Sequence, residues 1–361
     1  MTIADQAEAF RSEDFYRNFL RAREAVIAMN TVPPERIPEF ARPSKDGNED
    51  LGIFASLFDA SPAIIAQLRR HYHRLTGIPT DRYRYDNEAE ERPLFENKLR
   101  ALRSLDMSDL FVPESPALGG LGYELSAGLA NLETLKIYEC TLAMDRGSAL
   151  AALKRLPERQ VVLDISPGWG GLAYALKTLL PNTCFVLCDL PELFLFSATY
   201  LSTVFPRAKI AFVTPDASEL NDNWATYDFI FVPQALYHEI KPERLDLMVD
   251  SGSSRPMAGE QRAAYVKLAA SLGCPIVYSL CPGAPDDASK IVEQAYWLSE
   301  VPMLLVSHTT LLDPRLATDV QAVAARWRKA KSKLLSPSAQ TSEGERADID
   351  HKHLVGWKRL G

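Results

Sequence analysis

Leu163-Asp164-Ile165-Ser166-Pro167-Gly168-Trp169-Gly170-Gly171 decides how the chain is read. A short apolar run, Val161 to Ile165, ends beside an acidic residue and opens through a glycine turn into Leu172 to Leu180, a segment of helical character. Glycine at 168 and 170 removes the Cβ that would hold a ligand off the backbone. Alone, such a turn serves strand–helix packing as readily as ligand approach. Asp189 supplies the second half of the signal. It closes the next apolar run, Cys184 to Cys188, 25 positions after Asp164, where a carboxylate can accept hydrogen bonds from both hydroxyls of a ribose.

Outward from this stretch the pattern continues. Apolar runs recur at 209–213, 227–232, 245–249, 274–280 and 302–306, and the segment 191–204 between two of them is helical in character. Strands alternating with helices predict a parallel sheet with crossover connections. Before residue 146 the periodicity is different. Phe15, Phe19, Ala22, Val26 and Met29 fall at helical spacing and Pro33-Pro34 ends the run; Ser61-Pro62 reads as a helix start with Gly77 as its stop; Leu132 to Met144 gives a further apolar face. The expected fold is α/β: a Rossmann-like sheet flanked by helices over 146–335, a mainly helical N-terminal domain over 1–145, and a polar C-terminal segment over 336–361.

Composition narrows the function. The 361 residues carry a formal net charge of −7, without the basic excess that a phosphate backbone demands, so a small-molecule partner is expected rather than nucleic acid. No stretch approaches the ~18 apolar residues of a membrane span. Met1 to Phe10 has two acidic residues and no apolar core, which does not fit a secretory signal, so a cytoplasmic location is expected. Five cysteines without CxxC spacing argue against a disulfide framework or structural zinc, and Cys184 and Cys188 read as two residues on one strand face. His71-x-His73 and His351-x-His353 do not share a helix face and have no cysteine nearby; both are read as solvated surface, and no metal is expected.

Two cofactor classes use a strand, a glycine turn and a distal acid. A dinucleotide needs G-x-G-x-x-G to seat its pyrophosphate, whereas this turn is Ser166-Pro167-Gly168-Trp169-Gly170-Gly171, and Pro167 removes an amide donor. S-adenosylmethionine has no phosphate and asks for an acid near its amino-acid portion, close backbone approach and a ribose carboxylate. Asp164, Gly168 with Gly170, and Asp189 meet those needs. The run 164–170 resembles the class I methyltransferase motif acidic-x-Gly-x-Gly-x-Gly, with Ser166 in place of the first glycine. Together with Asp189-Leu190-Pro191-Glu192 and the run Asp246 to Met257, it is similar to a sugar O-methyltransferase family over roughly 119–283. Three departures stand out: Ser166-Pro167 replaces glycine, Asp250 stands for asparagine, and Pro256 for the glutamate before methionine.

The resemblance implies S-adenosylmethionine as cofactor and a sugar or related secondary metabolite as acceptor, methylated on a hydroxyl. Asp164, Ser166, Gly168, Gly170, Asp189, Leu190 and Ser251 are then the cofactor residues. Pro233 and Gln234 flank the adenine if 227–232 is the third strand, and Asp216-Ala217 does so if 209–213 is; the first is preferred because it leaves 245–249 as the fourth strand directly before Asp250. For an acceptor base, His238, His308 and Asp250 are the candidates, the histidines because imidazole titrates near neutrality. Tyr123, Glu124 and Arg255 are the candidate acceptor-side residues, with the N-terminal helices as cover and a homodimer as the candidate assembly. A non-catalytic scaffold of the same fold and a nicotinamide oxidoreductase are the competing readings.

Overall fold

The computed structural model describes residues 14–33, 35, 37–38, 57–71, 88–215, 223–251, 259–282, 296–301 and 351–358. The N-terminal part is helical, as its spacing predicts. Helix α1 (Asp14–Met29) buries Phe19, Ala22, Val26 and Met29. The segment after Ser61 is not one helix but two single turns, α2 (Pro62–Ile65) and α3 (Leu68–His71), and Gly77 lies outside the described residues. The Arg69 N–H leaves the helical ladder and donates to the Leu118 carbonyl at 2.8 Å. Helix α4 (Glu88–Arg103) leads to a small hairpin, β1 (Tyr123–Leu125) with β2 (Gly128–Ala130). Next comes α5 (Leu132–Arg146), begun by a reciprocal cap: Asn131 Oδ1 accepts the Thr134 N–H at 2.9 Å and Thr134 Oγ1 accepts the Asn131 N–H. From Tyr138 to Met144 every residue of α5 is buried, so it is a central helix with no wet face over that stretch. The short α6 (Ala149–Arg155) follows.

The remaining elements build an eight-stranded sheet. In chain order they are β3 (Gln160–Ile165), α7 (Gly171–Leu179), β4 (Thr183–Asp189), α8 (Phe194–Val204), β5 (Ile210–Phe212), β6 (Phe229–Pro233), β7 (Leu247–Asp250), α9 (Gly259–Ser271), β8 (Ile276–Pro282), β9 (Tyr296–Val301) and β10 (His351–Lys358). Their spatial order is β5-β6-β4-β3-β7-β8-β10-β9. Strands β3 to β8 are parallel, and β10 runs antiparallel to both its neighbours. From β3 the chain first builds outward through β4, then returns to β7 on the other side of β3 and builds outward again. Such a switch point opens a crevice at the carboxyl ends of the strands, which is where open α/β sheets take ligands.

Period-two alternation sorts the sheet into two wet-free faces. Val162, Phe185, Leu187, Phe229, Phe231, Leu247, Val249 and Tyr278 pack with the N-terminal helices, α5, α7 and α8. Val161, Leu163, Ile165, Cys184, Val186, Cys188, Ile230 and Val232 pack against Tyr265, Val266 and Ala269 of α9. Cys184 and Cys188 do share one face of β4. The first cluster is continuous from Phe19 of α1 to Val355 of β10, so the core does not part at residue 145.

Two expectations need correction. The C-terminal stretch is not only a polar segment: its residues 351–358 enter the sheet between β8 and β9, burying His353 and Val355. His353 is therefore no solvated surface residue. The run 209–213 yields a three-residue strand at the sheet edge, while β6 takes the place beside β4. The run 302–306 lies outside the described residues. Among those residues no helix is long and apolar enough to cross a membrane.

Candidate active site

The turn after β3 is held in an unusual backbone. Ser166, Gly168 and Gly170 all have positive φ, at 63°, 58° and 88°. Two of them are glycine, for which this region carries little penalty; Ser166 takes it with a Cβ, at a cost of about 1–2 kcal/mol. Hydrogen bonds hold the turn in place: Ser166 N–H donates to the Cys188 carbonyl at 2.9 Å, Gly168 N–H to Asp189 Oδ2 at 3.0 Å, and Gly170 N–H to the Pro167 carbonyl at 2.9 Å. The serine that departs from the glycine motif thus keeps the glycine conformation. Ser166→Gly is expected to stabilise the protein by about 0.5–1 kcal/mol, the relieved strain less the extra chain entropy of glycine, with cofactor affinity within about twofold. Urea unfolding of the two proteins measures it, and a less stable variant would mean that the serine side chain contributes a contact of its own.

Three aspartates meet at the carboxyl ends of adjacent strands. Asp164 (β3), Asp189 (β4) and Asp250 (β7) are all buried, at 1%, 6% and 2% exposure. Asp189 accepts the Gly168 N–H on one oxygen and the Leu190 N–H, at 2.8 Å, on the other. Asp250 Oδ2 accepts from Arg262 Nε of α9 at 2.7 Å. Among the described residues, Oδ1 of Asp164 has no hydrogen-bond partner. Burial, with the neighbouring charges of Asp189 and Asp250, pushes the Asp164 carboxyl well above the usual carboxylate range. A buried carboxyl in that condition is stabilised by a cation or a hydrogen-bond donor.

The structure gathers several of the residues expected from sequence. Asp164, Ser166, Gly168, Gly170, Asp189 and Leu190 line one turn, and Pro233, the last residue of β6, stands opposite Asp189 in the ladder. Gln234 accepts from Gln261 of α9 at 3.0 Å, and Ser251 is half-buried just beyond Asp250. His238 is an exposed residue of the turn after β6, with Nε2 3.4 Å from Glu239. Asp250, the other candidate base among the described residues, forms an ion pair with Arg262 through Oδ2. Tyr123 is corrected: its ring packs edge-on against Phe95 and its hydroxyl donates to Glu91, so it braces the hairpin on α4, while Glu124 faces solvent. His308, Arg255 and Asp216 lie outside the described residues.

Sequence reading missed two buried polar groups. His353 places Nδ1 2.8 Å from the Tyr278 hydroxyl and Nε2 3.3 Å from Glu139 of α5. Arg69 bonds Glu114 and Glu133 and stacks on Trp169 of the turn. Alternation through His353, Val355 and Trp357 carried the signal for the first; the second has no local signature.

No protein-family model and no curated protein sequence matches the chain. Among solved structures it is similar to precorrin-6y C5,15-methyltransferase from Geobacter metallireducens, at 14% identity over 59% of this chain and 88% of that one, TM-score 0.31. It is also similar to the plantazolicin methyltransferase BamL in complex with SAH, at 12% identity over 63% and 86%, TM-score 0.34. The YcgJ protein from Bacillus subtilis gives 13% identity over 59% and 99%, TM-score 0.33. At TM-scores of 0.31 to 0.34 these likenesses decide nothing about this chain, and its fold rests on the strand order and the two-faced sheet.

Proposed function

We propose that the protein is an S-adenosylmethionine-dependent methyltransferase acting on a hydroxyl of a small molecule, with a sugar or related secondary metabolite as the acceptor class. The observation that carries this reading is the buried carboxyl group at the switch point, where Oδ1 of Asp164 has no hydrogen bond among the described residues. Such a carboxyl suits a ligand that brings a cation or a donor. The turn also lacks the amide that Pro167 removes, which the diphosphate of a dinucleotide would use.

When bound, S-adenosylmethionine supplies a methyl group on a sulfonium, and positioning does most of the work of transfer. Asp164 and the turn 166–170 would hold its amino-acid portion, Asp189 its ribose, Pro233 and Gln234 the edge of its adenine, with Ser251 beyond β7. The sugar class rests on the likeness of 189–192 and 246–257 to the sugar O-methyltransferase pattern. A net charge of −7 favours a small acceptor over nucleic acid.

Calorimetric titration with S-adenosylmethionine, S-adenosylhomocysteine, NAD and NADP tests the cofactor. Binding of the first two alone is expected, and binding of a nicotinamide cofactor instead would overturn the reading. Labelled methyl transfer to a panel of sugars and glycosylated metabolites tests the acceptor; cofactor binding without transfer to any metabolite would favour a scaffold.

Asp164 also sets a pH dependence. In the free protein its carboxyl keeps a proton above the usual range, whereas a bound cation favours the ionised form. Affinity for S-adenosylmethionine is therefore expected to rise as pH rises from the ordinary carboxylate range towards the raised pKa, with proton release visible as a buffer-dependent binding enthalpy. For the free fold the sign is opposite. The folded state holds a proton that the unfolded chain gives up, so this contribution to stability is lost as pH rises through the raised value. A binding enthalpy independent of buffer at every pH from the ordinary carboxylate range upwards would exclude Asp164 as the cation's partner.

A further inference from the structure

The turn 166–170 is short of internal reasons to keep its shape. Three of its five residues are left-handed, one of them a serine, and strained backbone persists only where its surroundings over-determine it. Its one bulky side chain is Trp169. That indole is buried and clasped by residues from outside the strand–turn–helix unit. Arg69 of α3 lies over the ring with Cζ 3.5 Å from its centroid, and Tyr200 of α8 meets it edge-on at 5.0 Å. The ring also fills the space before α7: a Cβ on Gly171 would come within 2.2 Å of Trp169 Cζ2.

Arg69 is itself fixed. Nε is 2.7 Å from Glu114 Oε1, Nη2 is 2.6 Å from Glu133, and Glu114 in turn accepts from Asn131, the cap of α5, at 3.1 Å. A planar guanidinium held by two carboxylates presents a rigid flat face to an indole, which an ammonium cannot do.

We propose that Arg69 is a positioning residue for the cofactor turn: stacked on Trp169, it lets the N-terminal segment hold residues 166–170 in their ligand-ready backbone and so sets cofactor affinity. The affinity half of this proposal rests on reading the turn as an S-adenosylmethionine site; the conformational half does not.

The test uses the full chain and two probes. In the ligand-free protein, amide hydrogen exchange reports the Ser166, Gly168 and Gly170 N–H groups, each bonded within or beside the turn. S-adenosylhomocysteine titration reports affinity. Arg69→Lys keeps the charge but loses the flat stack; Trp169→Leu removes the ring and leaves the Arg69, Glu114 and Glu133 group in place. Each is expected to speed exchange of the three turn amides about tenfold over those of β6, and to weaken S-adenosylhomocysteine about five- to tenfold, the scale of a buried cation–π contact. A merely structural Arg69 would give additive losses, whereas the double variant is expected within about twofold of Trp169→Leu alone. Unchanged turn exchange, or additive losses in affinity, overturns the proposal. If Arg69→Lys does not fold, Trp169→Leu decides by itself, and unchanged exchange or affinity there overturns it equally. Loosened turn amides in a protein whose wild type binds no S-adenosylhomocysteine would refute the cofactor role and the affinity half together while upholding the conformational half.

Discussion

Arg262→Met is expected to lower stability by about 3–5 kcal/mol at neutral pH, the scale of leaving one member of a buried ion pair without its counter-ion. Arg262 and Asp250 are 10% and 3% exposed at their side chains, with Nε and Oδ2 2.7 Å apart, so water screens the pair little. The guanidinium is the compensating cation that the described residues place beside Asp250. Urea unfolding of both proteins reads this directly, and a loss under about 1 kcal/mol would show that the guanidinium does not compensate the buried carboxylate. Replacing both partners, with Asp250→Asn added, should recover most of the stability because no buried charge remains. Helix α9 has other anchors, Gln261 on Gln234 and Tyr265 against Cys188, so the variant is expected to keep its fold.

How much of this was legible in the sequence depends on how local each signal is. The strand, turn and helix from 160 to 179 could be read because apolar run, acid and glycines are contiguous. Asp189 could be placed because it ends the next run, and its oxygens do meet the turn. Preferring 227–232 over 209–213 as the third strand followed from leaving 245–249 as the fourth, directly before Asp250; 210–212 does form a strand, but at the sheet edge, while β6 lies beside β4 and β7 beside β3. What could not be read is what distant segments impose. Strand β10 begins with charged and polar residues, and only Tyr278 and Glu139, 75 and 214 positions away, make a buried histidine tolerable at 353. Arg262 looks like any helix-surface arginine until Asp250 is placed beneath it. Tyr123 sits in a glycine-rich stretch that reads as an exposed loop, yet its hairpin turns the ring inward onto α4. Ser166 in a glycine position is visible in sequence, but not that the backbone keeps glycine geometry there.

Asp189→Ala is expected to weaken S-adenosylhomocysteine by about 1.5–3 kcal/mol, roughly ten- to a hundredfold, because two functions are lost together. The first is the turn itself. Oδ2 takes the Gly168 N–H at 3.0 Å and Oδ1 the Leu190 N–H at 2.8 Å, so the carboxylate ties the glycine turn to the end of β4. The second, on the proposed function, is the ribose of the ligand, whose hydroxyls a carboxylate can accept in hydrogen bonds. Asparagine would not substitute cleanly, since its NH2 group would have to face a backbone N–H on one side or the other. Stability should fall as well, because deletion leaves the buried Gly168 N–H without its acceptor, but the loss is partly offset by removing a like charge from Asp164, whose raised pKa owes part of its shift to Asp189. The variant should therefore fold, bind weakly, and show a smaller release of protons per mole of S-adenosylmethionine bound, because the Asp164 carboxyl begins closer to its ordinary range. Calorimetry of the folded variant in two buffers measures affinity and proton count together. Full affinity would remove Asp189 from the ribose, and unchanged proton release would separate its charge from that of Asp164.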